Sequence, residues 1–278
     1  MMFHDSELCI RNVENCLRRV EIDNIYLGDC LELMKEIPDE SIDCIICDLP
    51  YSVLNRNNTH AQWDRIIPFE PLWEQYLRIA KHNAAIVLFG QGMFTAKLMM
   101  SQPKLWRYNL IWDKNRTSGF LNANRMPLRK HEDIAIFYRA LPTYNPQMMK
   151  CEPHQRNHGR GSGKHVNTNN CYGKLNDIEQ TISDEKYPTS IICFPKEHYS
   201  DMHPTQKPVE LIRYLIRTYT NEGDLILDNC VGSGTTAIAA IKENRHFIGM
   251  ELNKEYYEIA CERIKKEREE IETSLFNI

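Results

Sequence analysis

The sequence of 278 residues contains no apolar run near the roughly 20 residues that a membrane-spanning helix requires. Its first twenty residues also lack the apolar centre of a secretory signal. The ten cysteines form no regular framework, and several of them, such as Cys44, Cys47 and Cys193, lie inside apolar runs. We therefore expect a soluble, cytoplasmic protein without a membrane partner and with reduced, mostly buried thiols.

Three common cofactor-binding patterns are missing as well. The G-x-G-x-x-G spacing is absent, which argues against a nicotinamide dehydrogenase. The glycine turn near residue 232 lacks the lysine of a phosphate-binding P-loop. No metal is expected, because one cluster of candidate ligands fits no standard zinc spacing: Cys151, His154, His158, His165 and Cys171.

Net charge is low, at −4, but it is unevenly distributed along the chain. Residues 104–174 contain 13 Lys or Arg and 4 Asp or Glu, a local balance of +9, so the remaining residues sum to −13. This segregation is what a polyanion-binding face on an acidic body would look like. A solvated basic loop is the alternative interpretation.

Short apolar segments alternate with amphipathic ones over most of the chain. This pattern predicts an α/β fold with a doubly wound, Rossmann-like, mostly parallel sheet. The predicted strands are Ile42–Cys47, Ala84–Phe89, Tyr108–Trp112, Asp133–Tyr138, Asp224–Leu227 and His246–Met250. The predicted helices include Pro71–Lys81, a segment ending near Met100, Val209–Thr220, Thr235–Glu243, and a last helix capped by Asn253 that reaches Ile271.

The pattern fails between residues 139 and 190, where Asn, His, Gly, Pro and charged residues dominate. A compact fold does not need fifty residues of this composition, so we expect a functional insertion or a mobile loop. The predicted organisation is a first half of one domain at 1–138, a variable insertion at 139–190, and the second half of the same domain at 191–278.

A glycine turn follows the predicted strand that ends at Leu227. Its glycines let the backbone approach a ligand, and the following helix presents free N–H groups to that ligand. Glu251 directly follows the next strand, where a carboxylate can accept hydrogen bonds from ribose hydroxyls. Together they predict a site for a nucleoside-bearing cofactor that has no need of a pyrophosphate. The residues of the turn are Asp228, Asn229, Cys230, Val231, Gly232, Ser233, Gly234 and Thr235.

A second candidate site directly follows the strand Ile42–Cys47. Asp48 offers a carboxylate, Leu49 a main-chain carbonyl, and Tyr51 a flat ring, while Pro50 holds Leu49 extended. Such a tetrapeptide is often an ordinary turn. After a buried strand, however, it has the groups needed to hold an aromatic amine by its two N–H bonds.

These two motifs together resemble those of the amino-methylating (N6-adenine or N4-cytosine) DNA methyltransferases, which have a seven-stranded sheet. The tetrapeptide precedes the glycine turn, as in the permuted β group of that family. Gly28-Asp29 and the segment His203-Pro204-Thr205-Gln206-Lys207-Pro208 resemble further family motifs. Two departures are Leu49, where proline is usual, and Asn229-Cys230, which replace the Pro-Phe of the cofactor turn.

The resemblance implies a role for each of three groups of residues. Catalysis at the target base falls on Asp48, Leu49, Pro50 and Tyr51. Binding of S-adenosylmethionine falls on Asp29, Lys207, Asp228, Gly232, Ser233, Gly234, Thr235 and Glu251. The basic segment supplies candidates for binding double-stranded DNA: Arg116, Arg125, Arg129, Lys130, Arg156, Arg160 and Lys164.

The expected reaction is methylation of adenine N6 in a base flipped from a specific DNA sequence. The nearest alternative is cytosine N4, which needs the same geometry, and the initial Asp48 favours adenine only by family tendency. RNA or protein-glutamine methylation, and a catalytically inactive DNA-binding module, are more distant alternatives. The resemblance implies a bacterial or phage-encoded enzyme, and it leaves open a homodimer and a cognate restriction enzyme.

Overall fold

The structure, a computed structural model, describes residues 20–51, 65–156, 181–195 and 206–276. In these ranges, none of the helices combines the length and apolar character that crossing a membrane requires. The strands are β1 (Asn24–Leu27), β2 (Ile42–Cys47), β3 (Ala80–Gly90), β4 (Trp106–Ser118), β5 (Arg129–Phe137), β6 (Met149–Arg156), β7 (Thr181–Lys186), β8 (Ile191–Cys193), β9 (Leu225–Asp228) and β10 (His246–Glu251). The α-helices are α1 (Cys30–Leu33), α2 (Phe69–Ile79), α3 (Met93–Ser101), α4 (Val209–Tyr219), α5 (Thr235–Lys242) and α6 (Lys254–Phe276).

Eight of these strands form one sheet in the order β1-β10-β9-β2-β3-β5-β4-β8. Only β5 runs antiparallel to its neighbours within this sheet. The mostly parallel α/β fold is therefore confirmed, but the expected count of seven strands is exceeded by one. The extra strand arises because β8, three residues long, pairs with the edge of β4.

Two apolar layers cover the two faces of this sheet. On one face, α4, α5 and α6 pack through residues such as Leu215, Ala239 and Ile264. On the other face, α1, α2 and α3 pack through residues such as Leu72 and Leu98. Successive strand residues point to opposite faces, so the apolar runs of the central strands supply both layers. The result is a doubly wound sheet.

The carboxyl ends of β1, β2, β9 and β10 lie along one edge of the sheet. The register pairs Leu27 with Glu251 and Gly249 with Asp228, while Ile45 pairs with Leu227. The segments that follow these strands therefore emerge beside one another. In a parallel sheet this edge is where ligands bind.

Residues 146–189 form a second compact unit, whose described part is a two-stranded antiparallel sheet of β6 and β7. The sequence pattern identified no strand in this segment, whereas the structure has two. Both strands are rich in polar and charged residues, so they lack the apolar periodicity by which strands are recognised. Similarly, β4 extends beyond the predicted Trp112 to Ser118, through residues that are largely exposed.

Candidate active site

One cavity of about 900 Å³ lies at the carboxyl edge of the sheet. It is of the size expected for a small-molecule site. All of the predicted catalytic and cofactor residues line it except Gly234. An ideal Cβ at Gly234 would lie 3.1 Å from the Cβ of Ala260, so this glycine permits close packing of α5 against α6. The two motifs, far apart in the sequence, thus face a single space.

The tetrapeptide carries a hydrogen-bonded acid and phenol. The hydroxyl of Tyr51 donates to Asp48 Oδ1 at 2.5 Å. The ring of Tyr51 lies 4.9 Å from that of Phe94, tilted by 34°, which fixes the plane of the phenol. Leu49, which follows Asp48, is buried and packs in the apolar layer that contains α1, α2 and α3. The tetrapeptide is therefore anchored at its second residue and presents polar groups at its ends.

Asp48 also forms an ion pair with Lys207, a residue that the sequence assigned to the cofactor. Lys207 Nζ lies 2.5 Å from Asp48 Oδ2 and 3.2 Å from Glu132 Oε2, and only 8% of the lysine side chain is exposed. Lys114 Nζ approaches the other oxygen of Glu132 at 3.2 Å. The cavity wall thus contains a chain of two carboxylates and two ammonium groups.

Burial and these charges act in opposite directions on the titrating groups. Burial raises the pKa of Asp48 above its ordinary value, although the ammonium of Lys207 offsets part of the shift. Burial works against the charged form of Glu132, yet Lys207 and Lys114 outweigh it and hold its pKa below the usual range. For Lys207, burial is outweighed by Asp48 and Glu132, so its pKa is raised. Glu132 and Lys207 are therefore an ionised pair beside Asp48.

The glycine turn is held by two buried carboxylates. Asp228 accepts from the hydroxyl of Thr236 at 2.6 Å and from the backbone N–H of Cys230 at 3.1 Å. Burial raises the pKa of Asp228 to about 6. Glu251 accepts from the backbone N–H of Gly232 and, through its other oxygen, of Asn253, both at 2.8 Å. Both acids shape the turn at the cavity wall.

Asn229, which departs from the family pattern, has a structural role. Its side-chain oxygen accepts from the hydroxyl of Tyr76 at 2.5 Å, and its amide nitrogen donates to the sulfur atoms of Cys30 and Cys230 at 3.5 and 3.6 Å. Tyr76 belongs to α2, so this contact ties the glycine turn to the opposite layer of helices. A local polar network therefore accommodates Asn229 at the position where the family pattern has proline.

Gln206 carries a donor suited to a polar ligand. Ser233 Oγ donates to its oxygen at 2.9 Å, whereas its nitrogen has no hydrogen-bond partner among the residues that the structure describes. The side chain is 6% exposed and lines the cavity. A buried N–H without an acceptor is costly, so this nitrogen suits an oxygen of a bound molecule. Gln206, like Glu132 and Lys114, was missed; its adjacency to Lys207 in the sequence was the available signal.

The predicted DNA-binding residues are only partly described. Arg116, Arg125, Arg129 and Lys130 are exposed on β4, β5 and the segment between them. Lys130 pairs with Asp113 at 2.9 Å, and Arg129 donates to Gln91 at 2.8 Å. The predicted residues Arg160 and Lys164 lie outside the described ranges, as do the side chain of Arg156 and the cluster members His158, His165 and Cys171.

The chain is similar to known DNA methyltransferases in sequence. Residues 42–262 match the family model for N6/N4 methyltransferases, described as DNA methylase. The type II methyltransferase M2.DpnII of Streptococcus pneumoniae is 28% identical over 271 residues, covering 87% of this chain and 89% of the relative. M.BglII of Bacillus subtilis is 25% identical over 285 residues, covering 97% and 76%.

Solved structures share the fold. A complex of M1.HpyAVI with SAM superposes with a TM-score of 0.58 at 22% identity, covering 87% of this chain and 98% of the other. The cytosine-N4-specific PvuII DNA methyltransferase gives 0.62 at 15% identity, covering 88% and 90%. The match to the family model extends over most of the chain, and the protein therefore belongs to the N6/N4 DNA methylase family. It is a DNA methyltransferase whose methyl donor is S-adenosylmethionine.

Proposed function

We propose that this enzyme methylates the N6 amine of an adenine flipped out of duplex DNA at a specific sequence. The observation that carries the proposal is the shared cavity, which Asp48 and Tyr51 line together with Gly232 and Glu251. The residues that we propose for the target amine and those that we propose for the nucleoside of the cofactor therefore share one space. The permuted β group is the subgroup we assign, from the order of the two motifs.

An adenine amine is a poor nucleophile, because its lone pair is delocalised into the ring. Hydrogen bonds from its two N–H groups to Asp48 and to the carbonyl of Leu49 would favour a pyramidal nitrogen and stabilise the positive charge that develops there. Each Asp48 oxygen already accepts one bond, from Tyr51 or Lys207, and each retains acceptor capacity for the amine. The methylated nitrogen then loses a proton, for which no strong base is needed.

The ring of Tyr51 supplies the surface on which the target base stacks. A base inside a duplex cannot reach Asp48, so it must rotate out of the helix and into the cavity. The contact between Tyr51 and Phe94 holds the phenol ring in place before the base arrives. Such positioning lowers the barrier by aligning the amine with the methyl group that it attacks.

The residues of the glycine turn and those beside it fit S-adenosylmethionine, which supplies a methyl group on a positively charged sulfur. Glu251 would accept from the ribose hydroxyls with the lone pairs left by its contacts with backbone N–H groups. The amide nitrogen of Gln206, which has no partner within the described part of the chain, would donate to the carboxylate of the methionine part. Asp29, whose side chain caps α1, lines the same cavity and is the candidate contact for the adenine part.

The choice of adenine rests on Asp48 as first residue of the tetrapeptide, by family tendency, and cytosine N4 is the second candidate. The test is to express the protein in cells without other DNA methylases, digest the DNA to nucleosides, and identify the methylated product by mass. N6-methyladenine is the expected product. N4-methylcytosine would contradict the choice of base, and unmodified DNA would contradict the proposed activity. Sequencing with detection of modified bases would give the recognition sequence.

The remaining assignments concern DNA. The basic residues near Arg116 and Arg125 would contact phosphates, and the insertion at 139–190 would read bases as a target recognition region. The relatives are named type II methyltransferases, which supports a role in a restriction–modification system with a cognate restriction enzyme.

A further inference from the structure

The segment between β4 and β5 presents an unusual apolar tip, which we define as residues 119–128. Phe120 is 77% exposed and Leu121 is 84% exposed, although large apolar side chains are normally covered. They are adjacent in a single 3₁₀ turn, Phe120–Asn122. These two neighbouring side chains form an apolar wedge that no other part of the described fold buries.

The tip is an ordered structure with its own hydrogen bonds. The backbone N–H of Asn122 donates to Gly119 at 2.9 Å, that of Ala123 to Phe120 at 3.1 Å, and that of Arg125 to Asn122 at 2.8 Å. Gly119 adopts a φ of 85°, a left-handed conformation that suits glycine and turns the chain at the end of β4. The two apolar side chains are therefore held out by their backbone.

The electrostatic surroundings of the tip identify its partner. Residues 114–131 contain five Lys or Arg and no Asp or Glu. Arg116, Arg125, Arg129 and Lys130 are all exposed around the apolar pair. An apolar wedge surrounded by positive charge fits a polyanion with an apolar interior, which is the description of stacked base pairs between phosphate backbones.

The tip also lies at the mouth of the catalytic cavity. Ser118 and Arg129, which pair across the base of the tip, both line that cavity. The two strands that support the tip carry Lys114 and Glu132 into the wall beside Asp48. One hairpin thus joins the wedge to the place where the target base is held.

We propose that Phe120 and Leu121 insert into the DNA base stack and fill the space vacated by the flipped target base. This inference rests on the proposed function, since it requires a base to leave the duplex. Flipping costs free energy, because stacking and pairing of the target base are lost. Apolar side chains that occupy the gap would recover part of that cost and slow the return of the base.

The test compares the variant Phe120→Ala/Leu121→Ala with wild type on two unmethylated duplexes. Both contain the recognition sequence that modification of cellular DNA identifies. One duplex is fully paired, and in the other an abasic site stands opposite the target base, so that flipping is already eased. We expect kcat/KM to fall about tenfold or more on the paired duplex, which corresponds to about 1.4 kcal/mol, and to change little on the abasic one. Fluorescence of 2-aminopurine at the target position should show fewer flipped bases with the variant.

The matched control is Met100→Ala. Met100 is 73% exposed and lies on α3, for which no contact with DNA is proposed, so its loss should leave both substrates unaffected. Equal loss of activity of the double variant on both duplexes would overturn the wedge and assign the tip to general binding or self-association. Undiminished activity on the paired duplex would also overturn it. Failure of the wild type to methylate either duplex would instead contradict the proposed function, and the wedge with it.

Discussion

The ammonium nitrogen of Lys207 lies 2.5 Å from Asp48 Oδ2, although the two residues are 159 positions apart in the sequence. The sequence motif containing Lys207 was interpreted as part of the cofactor site. Its partners in the structure are the acid of the tetrapeptide and Glu132. Contact of Lys207 with the cofactor stays a prediction, whereas its influence on the charge of Asp48 follows from the geometry.

Replacing Lys207 with Met should move the acidic limb of the pH profile of kcat/KM to higher pH. The reaction needs Asp48 ionised, and loss of the neighbouring ammonium favours the protonated carboxyl, so its pKa rises. Lys207→Arg keeps the charge and should keep the limb near its original position. If the acidic limb does not move in the Met variant, the ammonium of Lys207 does not influence the pKa of Asp48.

Replacing Glu132 with Gln should shift the acidic limb of the pH profile in the opposite direction. The negative charge of Glu132 raises the pKa of Asp48, so its removal should move the acidic limb to lower pH. Lys35→Met, which removes a largely exposed lysine that pairs with Glu32, is a control that should leave the profile unchanged. Shifts in the same direction for Lys207→Met and Glu132→Gln would contradict a direct electrostatic effect.

Asp48→Asn should abolish most methyl transfer and leave cofactor binding intact. The carboxamide retains one acceptor but removes the negative charge, so we expect kcat to fall about a hundredfold or more. Tyr51→Phe keeps the ring and loses only the hydroxyl bonded to Asp48, so its loss should be smaller. Calorimetry with S-adenosylmethionine and single-turnover assays would measure the two effects. A large loss of cofactor affinity in Asp48→Asn would place this carboxylate in the cofactor site.

The sequence predicted the central elements well for a physical reason. Segments such as Ile42–Cys47 are buried on both faces, so their apolar runs stand out, and the strand was found at its observed bounds. The helix at Val209 was found within one residue of its end. By contrast, β6, β7 and the outer part of β4 are rich in polar residues, so no periodicity distinguishes them from loops.

Part of the candidate site could be predicted from the sequence for a related reason. Asp48 and Glu251 directly follow buried strands, and the edge of a parallel sheet brings such positions together. Glu132 lies inside β5 in an unbroken run of polar and charged residues, Arg129–Asp133, where nothing local marks it. Its importance comes from contacts with Lys114 and Lys207, which only the strand pairing and the position of Lys207 create.

Two glycines of the cofactor turn should respond differently to alanine. At Gly232 the φ is 53° and an added Cβ meets nothing within 4 Å, so Gly232→Ala should cost about 1–2 kcal/mol of stability and mainly weaken cofactor binding. At Gly234 the φ is 86° and the Cβ would lie 3.2 Å from the Cα of Ala260. Gly234→Ala should therefore destabilise more strongly, by overpacking as well as strain.

Urea denaturation and calorimetry with S-adenosylmethionine would separate the two glycine variants. The contrast fails if Gly234→Ala proves as stable as Gly232→Ala, or if Gly232→Ala binds the cofactor with unchanged affinity. A simultaneous loss of stability and affinity in Gly234→Ala is expected, since displacement of α5 moves the turn.

Asp228 should make stability depend on pH in the mildly acidic range. Its folded pKa of about 6 is above the ordinary value of 3.8, so the folded state holds a proton that the unfolded state has lost between these values. Stability from this group is therefore present at low pH and decreases as pH rises from about 4 to 6. The full effect is on the order of 3 kcal/mol.

The variant Asp228→Asn isolates this contribution, because it cannot titrate. Relative to wild type, the variant should lose stability at pH 4.5 and recover most of the difference at pH 7. Urea midpoints at the two values measure this change. A difference between the two proteins that is the same at both pH values would show that Asp228 does not titrate in this range.

Salt dependence of DNA binding should distinguish two exposed basic residues. Lys130 already pairs with Asp113 at 2.9 Å, so its charge is partly compensated before DNA arrives. Arg125 is exposed in a stretch without acidic residues. If both contact phosphates, Arg125→Ala should reduce the slope of log K against log salt by about 1, and Lys130→Ala by less. Titrations of a labelled duplex at several salt concentrations would give the slopes, with Lys97→Ala on α3 as a control. Equal slopes for wild type and Arg125→Ala would remove this residue from the DNA interface.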